Sequence, residues 1–386
     1  MQLQFFRDTG IIMGMNTFDT TSLTRTLRLK VKGEAYAWLN QAAIEVNQIW
    51  NYCNEISYKA TQTSVERPNP MWLSGYDLCN LTSGMTKFLD NIGSDSIQMI
   101  CTTYATKRYI AKKLKLKWRT SKGSRRSLGW VPFKAANIKR QGKYVRFCGK
   151  TFRLFDTDKL QNVTWKGGCF AQDSLGDWYL CLSIEVKQEI NIAPKEAVGI
   201  DLGLKTIATT SDGYKLDAGR FYRNLEPKLA QAQRRGHKKQ AKFIHRKIKH
   251  QRMDALHKAS RHLVNEYQNI YIGDVSSSKL VKTQMAKSVL DSGWGMFKTF
   301  LRYKGQQTGR NVEVINESYT SRTCSNCGSL SGPRGVNGLR VRDWKCVDCG
   351  AVHDRDVNSA LNILHLGSRY PTSVSGNELL IEKLAA

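Results

Sequence analysis

The sequence predicts a multidomain α+β fold. A small N-terminal β-barrel, with a helical bundle inserted into it, precedes an α/β domain that carries a basic helical insertion and a four-cysteine ribbon. Three observations carry that reading. Short runs of period-two alternation lie between 130 and 186. Longer buried strands and helices take over after Pro194. Two Cys-x-x-Cys pairs, Cys324/Cys327 and Cys346/Cys349, stand eighteen residues apart.

In chain order, residues 24–32 alternate, with Leu27, Leu29 and Val31 on one side and Arg28, Lys30 and Lys32 on the other. That is a half-buried strand with a basic outer face. Leu39, Ala42, Val46, Ile49, Cys53 and Ile56 then recur every three or four residues, the mark of a helix with one apolar face. Pro68 and Pro70 break it, and a further helix is expected from about Asp95 to Trp118. Segments 130–134, 144–148, 151–155, 162–166 and 177–186 read as short strands punctuated by Gly142, Gly149, Gly167 and Gly176. Regular short strands of this kind suggest a small barrel, to which the strand at 24–32 belongs.

Past Pro194, residues 197–203 form a buried strand ending in Asp201-Leu202-Gly203, and Asp212-Gly213 marks a hairpin. Residues 222–268 are helical and basic, 269–274 form a second core strand, and 282–304 form one amphipathic helix with Leu290, Trp294, Phe297 and Leu301 on one face. A third core strand spans 311–317. A closing helix spans 354–367, with Gly367 as its stop. Residues 1–20 read as a flexible leader and 368–386 as a flexible tail.

Composition narrows the function. The chain has 386 residues, of which 41% are hydrophobic, and 60 Lys+Arg against 32 Asp+Glu give a formal net charge of +28. Such a chain can bury cores, which excludes a disordered or collagen-like protein. No apolar run approaches the roughly 20 residues that cross a bilayer, so no membrane partner is expected. The charge points to a polyanion, because counterion release drives such binding. It is concentrated: 219–270 holds 14 Lys/Arg against 3 acids and five of the seven histidines, and 107–126 holds ten basic residues and no acid. Both runs suit phosphate backbones. Trp118 and Trp130 offer rings for stacking or for core packing. Cys53, Cys79, Cys101, Cys148, Cys169 and Cys181 are scattered singly, as in a protein of the reducing cytosol.

The remaining cysteines have metal-ligand spacing. Four thiolates, Cys324, Cys327, Cys346 and Cys349, close a tetrahedral Zn²⁺ site with no open position, so the zinc is expected to be structural. His353 reads as a neighbour of that site or a surface residue. Asp201 ends a buried strand, and Asp354 and Asp356 begin the closing helix. Two-metal phosphodiester hydrolysis needs carboxylates converging from separate elements, about 4 Å apart at the metals. A hairpin unit, then strand, helix, strand and final helix fits a ribonuclease-H-like core whose first strand is central.

The segments VGIDLGLKTIATTSDG, KLAQAQRR, YTSRTCSNCG, WKCVDCG and HDRDVNSALNIL resemble the TnpB (OrfB) family of insertion-sequence proteins, relatives of compact type V CRISPR effectors. The likeness runs in order across about 197–366. It implies an RNA-guided DNA endonuclease with a single RuvC-type site and two Mg²⁺ ions; a cytoplasmic, nucleoid-associated location is expected, and the oligomeric state is left open with a monomer favoured. Its partners would be a guide RNA and double-stranded target DNA bearing a short flanking motif. In that frame 21–33 and 127–193 form the wedge barrel, 34–126 the helical recognition domain, 194–320 and 353–367 the nuclease domain with its insertion at about 219–268, and 321–352 the zinc ribbon.

By the same resemblance, Asp201 matches the first acid and Asp356 the third, and the four cysteines match the zinc ligands. Tyr58 and Lys59 fall where the family reads its flanking motif. Lys112, Lys113, Arg125, Arg126, Arg234, Arg235, Lys238 and Lys239 are expected on nucleic-acid backbones. The second acid departs from the pattern, because Gly273 stands where the family has glutamate. Three readings compete. Asp274 could substitute, although a one-residue shift along a strand turns a side chain to the other face. Glu317, at the end of the adjoining strand about 4.8 Å away, could reach over the glycine. Or the site is dead, leaving an RNA-guided repressor. Glu317 is preferred, while Glu313 lies about 13 Å too early along its strand. A transposase or nuclease acting without RNA is a further alternative.

Overall fold

The computed structural model describes residues 22–63, 69–161, 163–188, 190–275, 280, 286–334, 338 and 340–369. The expected leader over 1–20 lies outside them, as does the expected tail beyond Arg369. Ser368 and Arg369 belong to the last helix.

The N-terminal half runs β1 (Ser22–Lys30), α1 (Tyr36–Ala60), α2 (Gly75–Leu81), α3 (Ser94–Ala111), β2 (Trp130–Phe133), β3 (Ile138–Gln141), β4 (Tyr144–Phe147), β5 (Lys150–Arg153), β6 (Trp165–Gln172) and β7 (Trp178–Lys187). Strands β1, β7, β6 and β2 form one antiparallel sheet in that order, and β3, β4 and β5 form a second. Where β1 runs out, Lys32 N–H donates to the Arg153 carbonyl and Phe155 N–H to the Lys30 carbonyl, both at 2.9 Å. The expected barrel is therefore a pair of sheets stitched at one corner. Leu29 and Val31 share a single core with Leu39 and Val46 of α1 and with Phe133, Phe147, Phe152 and Phe170.

The helix expected from Asp95 to Trp118 stops at Ala111, and Lys112 turns left-handed at φ 49°. Side chains of α1 explain the stop. Asn54 Nδ2 donates to the Leu116 carbonyl at 2.8 Å while Asn54 Oδ1 accepts from Leu116 N–H at 2.9 Å. Asn51 makes the same reciprocal pair with Arg119, at 2.8 and 2.9 Å. Two asparagines thus take the backbone groups that a continuing helix would need for itself. The singly scattered cysteines also meet in space: Cys53 and Cys101 bring their Sγ atoms to 3.7 Å between α1 and α3, and Cys169 faces Cys181 across β6 and β7.

The C-terminal half runs β8 (Lys195–Asp201), β9 (Thr206–Thr210), β10 (Lys215–Asp217), α4 (Phe221–Arg234), α5 (Lys238–Glu266), β11 (Tyr267–Gly273), α6 (Ala286–Ser292), α7 (Trp294–Thr308), β12 (Asn311–Ile315), β13 (Asp343–Lys345), β14 (Val352–Asp354) and α8 (Arg355–Arg369). The sheet order is β10-β9-β8-β11-β12, with β8, β11 and β12 parallel. The helix expected over 282–304 is divided, because Gly293 at φ 68° separates α6 from α7. Residues 282–285 of that expected helix lie outside the described residues.

Alternation assigns the two faces of the sheet. Val198 and Ile200 of β8 and Ile270 and Ile272 of β11 pack with Leu256 and Leu263 of α5 and Phe297 and Leu301 of α7. The intervening residues face α8. A Cβ on Gly199 would overlap the Ala360 carbonyl oxygen, and one on Gly367 would overlap the Tyr271 ring. Gly367 is thus not the stop of the helix. It lies inside α8 as a close-approach point against β11. Among the described residues no helix is long and apolar enough to cross a membrane.

Candidate active site and cysteine cluster

Asp201 is the last residue of β8, and β11 and β12 end beside it. Register pairs Ile200 with Ile272 and Gly273 with Ile315. Period two therefore places Asp201, Gly273 and the residue two beyond Ile315 on the face toward α8. That residue is Glu317. The strand expected to reach 317 ends at Ile315, so Glu317 sits on the following turn. A Cβ added to Gly273 would come 2.5 Å from Glu317 Oε2, 3.3 Å from Ile363 Cδ1 and 3.5 Å from Glu317 Cβ. The glutamate therefore occupies the space that the glycine leaves. Asp274 lies one residue past β11, exposed, and its Oδ1 accepts from Glu317 N–H at 3.2 Å. It adds one exposed hydrogen bond to the turn that carries Glu317.

Asp354, the last residue of β14, and Asp356, in the first turn of α8, divide their work. Asp354 Oδ1 accepts from the N–H groups of Asp356 and Val357, at 2.9 and 3.1 Å, and its Oδ2 accepts from Lys215 Nζ at 2.7 Å. It caps α8. Asp356 is left free for other partners, and Arg342 Nη1 donates to both of its oxygens at 2.9 Å.

The carboxylates sense one another. Asp201 is pushed up to about 7, first by burial; a Ser359 hydrogen bond opposes this, and the charges of Asp356 and Glu317 add to it. Glu317 is also raised, by burial and by Asp274, with Lys298 and the Val275 backbone pulling the other way. Its Oε2 is buried without a hydrogen-bond partner among the described residues. An orphaned buried carboxylate oxygen and a cradle free of Cβ leave room for a cation beside Glu317, while among the described residues it is the four cysteines that gather their ligand atoms within 4.8 Å.

The turn after β12 is clamped onto α8. Asn358 Nδ2 donates to the Thr323 carbonyl at 2.8 Å, and Asn362 Nδ2 donates to the carbonyls of Thr320 and Thr323 at 2.8 and 2.7 Å. Asn358 Oδ1 accepts from Ser325 N–H at 2.9 Å. One helix therefore positions Asp356, the Glu317 turn and the entry to the cysteine segment.

In that segment the Sγ atoms of Cys324, Cys327, Cys346 and Cys349 lie within 4.8 Å of one another. Cys324–Cys349 and Cys327–Cys346 are 3.7 Å apart. A tetrahedron of roughly 2.3 Å zinc–sulfur bonds has edges of about 3.8 Å, so the cluster fits Zn²⁺. Each half makes the same knuckle. Cys324 N–H donates to the Ser329 carbonyl and Gly328 N–H to the Cys324 carbonyl, while Cys346 and Gly350 repeat the pattern with Ala351 and Cys346. Gly328 and Gly350 sit at φ 80° and 73°, the left-handed geometry the turn requires. Hydrogen bonds from Ser329 and Ser331 bring the Cys346 thiol down to about 5. His353 Nε2 lies 3.0 Å from Cys324 Sγ, outside the cysteine set and in contact with it.

The residues expected on nucleic acid are spread over the surface. Lys59, Lys112, Lys113, Arg125, Arg126, Arg234, Arg235, Lys238 and Lys239 are exposed, and Tyr58 is half-buried with Lys115 Nζ 4.7 Å from its ring. The run 107–126 is not uniformly available. Arg108 is buried, donating to the carbonyls of Leu114 and Ser57, and Arg119 donates to Asn47 Oδ1 at 2.6 Å and to the Leu128 carbonyl at 2.7 Å. Trp130 packs edge-on against Trp50, while Trp118 is exposed.

Comparison with known proteins accords with this arrangement. The family model described as "Probable transposase" (OrfB_IS605) matches residues 180–284, and that described as "Cas12f1-like, TNB domain" matches 294–363. Residues 180–284 and 294–363 thus resemble OrfB-type and Cas12f1-like sequences respectively. The chain is 36% identical to a "Putative RNA-guided DNA endonuclease" of Streptomyces pristinaespiralis, over 51% of its own length and 52% of that protein. It is 28% identical to the "Putative RNA-guided DNA endonuclease InsQ" of Escherichia coli (strain K12), over 55% of its length and 58% of that protein. The match thus spans little more than half of these relatives. A cryo-EM structure of a Cas12f1-sgRNA-target DNA complex is similar with a TM-score of 0.58 at 12% identity, covering 89% of this chain and 99% of that one. At that identity the likeness is one of fold.

Ser359, Arg342, Asn358 and Asn362 were not singled out from the sequence. Ser359 had a signal: it lies three residues after Asp356 and so on the same helix face. Nothing in the spacing of Arg342 marks it.

Proposed function

We propose that the chain is an RNA-guided DNA endonuclease of TnpB type whose second acid has moved from β11 to the turn after β12. The observation that carries the reading is the carboxylate of Glu317 lying over Gly273. The β8-β11-β12 sheet with α8 behind it suits a ribonuclease-H-like core, and the paired sheets of the N-terminal half suit a wedge barrel. Asp201, Glu317 and Asp356 would hold two Mg²⁺ ions. Bound there, such ions supply a water of lowered pKa and charge stabilisation at the leaving 3′ oxygen.

The protein's own part is arrangement. Partial burial of Asp201 and Glu317 lowers the dielectric around them, which would strengthen their hold on a cation. The α8 asparagines keep the Glu317 turn in place, and Ser359 holds Asp201 Oδ1. Cys324, Cys327, Cys346 and Cys349 would hold a structural zinc that stiffens the segment joining β12 to α8. Exposed lysines and arginines at 112–126 and 234–239 would follow phosphate backbones, and pairing with the guide RNA would supply target specificity.

One contact favours a second reading, a guide-dependent DNA binder that does not cut: Arg342 neutralises Asp356 through both oxygens. Incubating the purified protein and its co-purified RNA with matched DNA and Mg²⁺ separates the two. Strand cutting that disappears in Asp201→Ala supports the nuclease. Target binding with no cut supports the binder, and cutting that survives ribonuclease treatment refutes guidance by RNA.

A further inference from the structure

The three acids come from three elements: β8, the turn after β12, and α8. One buried hydroxyl on α8 links that helix to the other two elements. Ser359 lies on α8 one turn past Asp356. Its Oγ donates to Asp201 Oδ1 at 2.9 Å and stands 2.9 Å from Thr320 Oγ1. Thr320 closes the Glu317 turn, its N–H donating to the Glu317 carbonyl at 3.2 Å and its Oγ1 lying 2.9 Å from the same oxygen. Ser359 and Thr320 are 2% and 4% exposed, so water does not compete for them.

Each hydroxyl has one proton. The Ser359 proton goes to Asp201. The Glu317 carbonyl accepts from both the N–H and the hydroxyl of Thr320, and the Thr320 hydroxyl stands within hydrogen-bond reach of Ser359 Oγ as well. Asp201, Ser359, Thr320 and the Glu317 backbone are thus joined in one buried polar network.

We infer that Ser359 is a positioning residue of the carboxylate site, holding Asp201 and, through Thr320, setting the Glu317 turn against it. The inference rests on the reading that these acids bind divalent ions. A displaced glutamate on a turn has more freedom than one inside a strand, and this hydroxyl pair restricts it together with Asp274 and the α8 asparagines. Residues that orient metal ligands through hydrogen bonds typically matter about 10–100-fold in metal affinity.

The test is calorimetric titration of the full-length, metal-depleted protein with Mn²⁺, alongside its melting temperature. Ser359→Ala is expected to weaken Asp201-dependent Mn²⁺ binding about tenfold, and Ser359→Thr, which keeps the donor, to restore it. Thr320→Val, which keeps the volume and loses the proton, is expected to weaken binding by a smaller factor at an unchanged melting temperature. Unchanged binding in Ser359→Ala and Thr320→Val, with binding lost in Asp201→Asn, overturns the inference alone. Equal weakening in Ser359→Ala and Ser359→Thr also overturns it, since packing then explains the loss. Mn²⁺ binding by the parent that Asp201→Asn leaves intact overturns both the inference and the metal-site reading.

Discussion

The carboxylate of Glu317 stands where a side chain on Gly273 would stand, its Oε2 2.5 Å from the place of the missing Cβ. The two positions compete for the same space. An acid can project into this space from β11 or from the turn after β12, but not from both without a shift. On the proposed reading, the glycine is the partner of the relocated acid rather than a scar of a lost one.

The competition is testable by transplantation. Gly273→Ala is expected to push the flexible end of Glu317 aside and lower Mg²⁺-dependent DNA cleavage by a few-fold, with little loss of stability because the contact is with a side-chain tip. Gly273→Glu combined with Glu317→Ala should recover activity lost in Glu317→Ala. Cleavage rates of the single and double variants check this.

Asp201 and Glu317 also predict a pH dependence. Burial raises the folded pKa of Asp201 from 3.8 to about 7, so between those values the folded state holds a proton that the unfolded state has lost. The stability linked to that proton is complete below about 4 and is lost as pH rises through about 7, at roughly 1.4 kcal/mol per pH unit per proton. The metal-depleted parent should lose melting temperature between pH 5 and pH 7 more steeply than Asp201→Asn. Added Mg²⁺ should restore the parent at pH 8 and not the variant. Thermal denaturation across that range reads it.

The cysteine knuckles predict that stability depends on zinc. Cys346→Ser should abolish zinc retention, measured by metal analysis. It should also weaken cleavage, because Ser325, one residue past Cys324, is bound to Asn358 of α8. A variant that keeps its zinc, or one that loses zinc with no change in melting temperature, contradicts the assignment.

Gly367 gives a purely structural prediction. In an exposed helix interior, Gly→Ala stabilises by about 1 kcal/mol. Here the new methyl would overlap the Tyr271 ring, so Gly367→Ala should destabilise by about 1–3 kcal/mol, the usual cost of overpacking. Chemical denaturation should show Tyr271→Ala relieving part of that loss.

Much of this was legible in the sequence because its signals are local and periodic. Asp201 follows an unbroken apolar strand, the two Cys-x-x-Cys pairs have one obvious chemistry, and a glycine beside an in-phase glutamate on the next parallel strand is a pattern that spacing alone can express. What stayed hidden depends on contacts between distant segments. The stop of α3 comes from Asn51 and Asn54, over sixty residues away in sequence from the backbone they capture. Arg108 and Arg119 read as surface charge because a charge run carries no sign of which members fold inward. Gly367 looked like a terminator because a helix-ending glycine and a close-packing glycine are the same letter. Arg342 reaches Asp356 only because the ribbon folds back on α8.

The central claim is that Glu317 supplies the second acid. The most direct measurement is Mg²⁺-dependent cleavage of guide-matched DNA by the parent and by Asp201→Ala, Asp274→Ala and Glu317→Ala. The account predicts that Glu317→Ala falls to the level of Asp201→Ala while Asp274→Ala keeps most of its activity. Full cleavage by Glu317→Ala beside an inactive Asp201→Ala would contradict it.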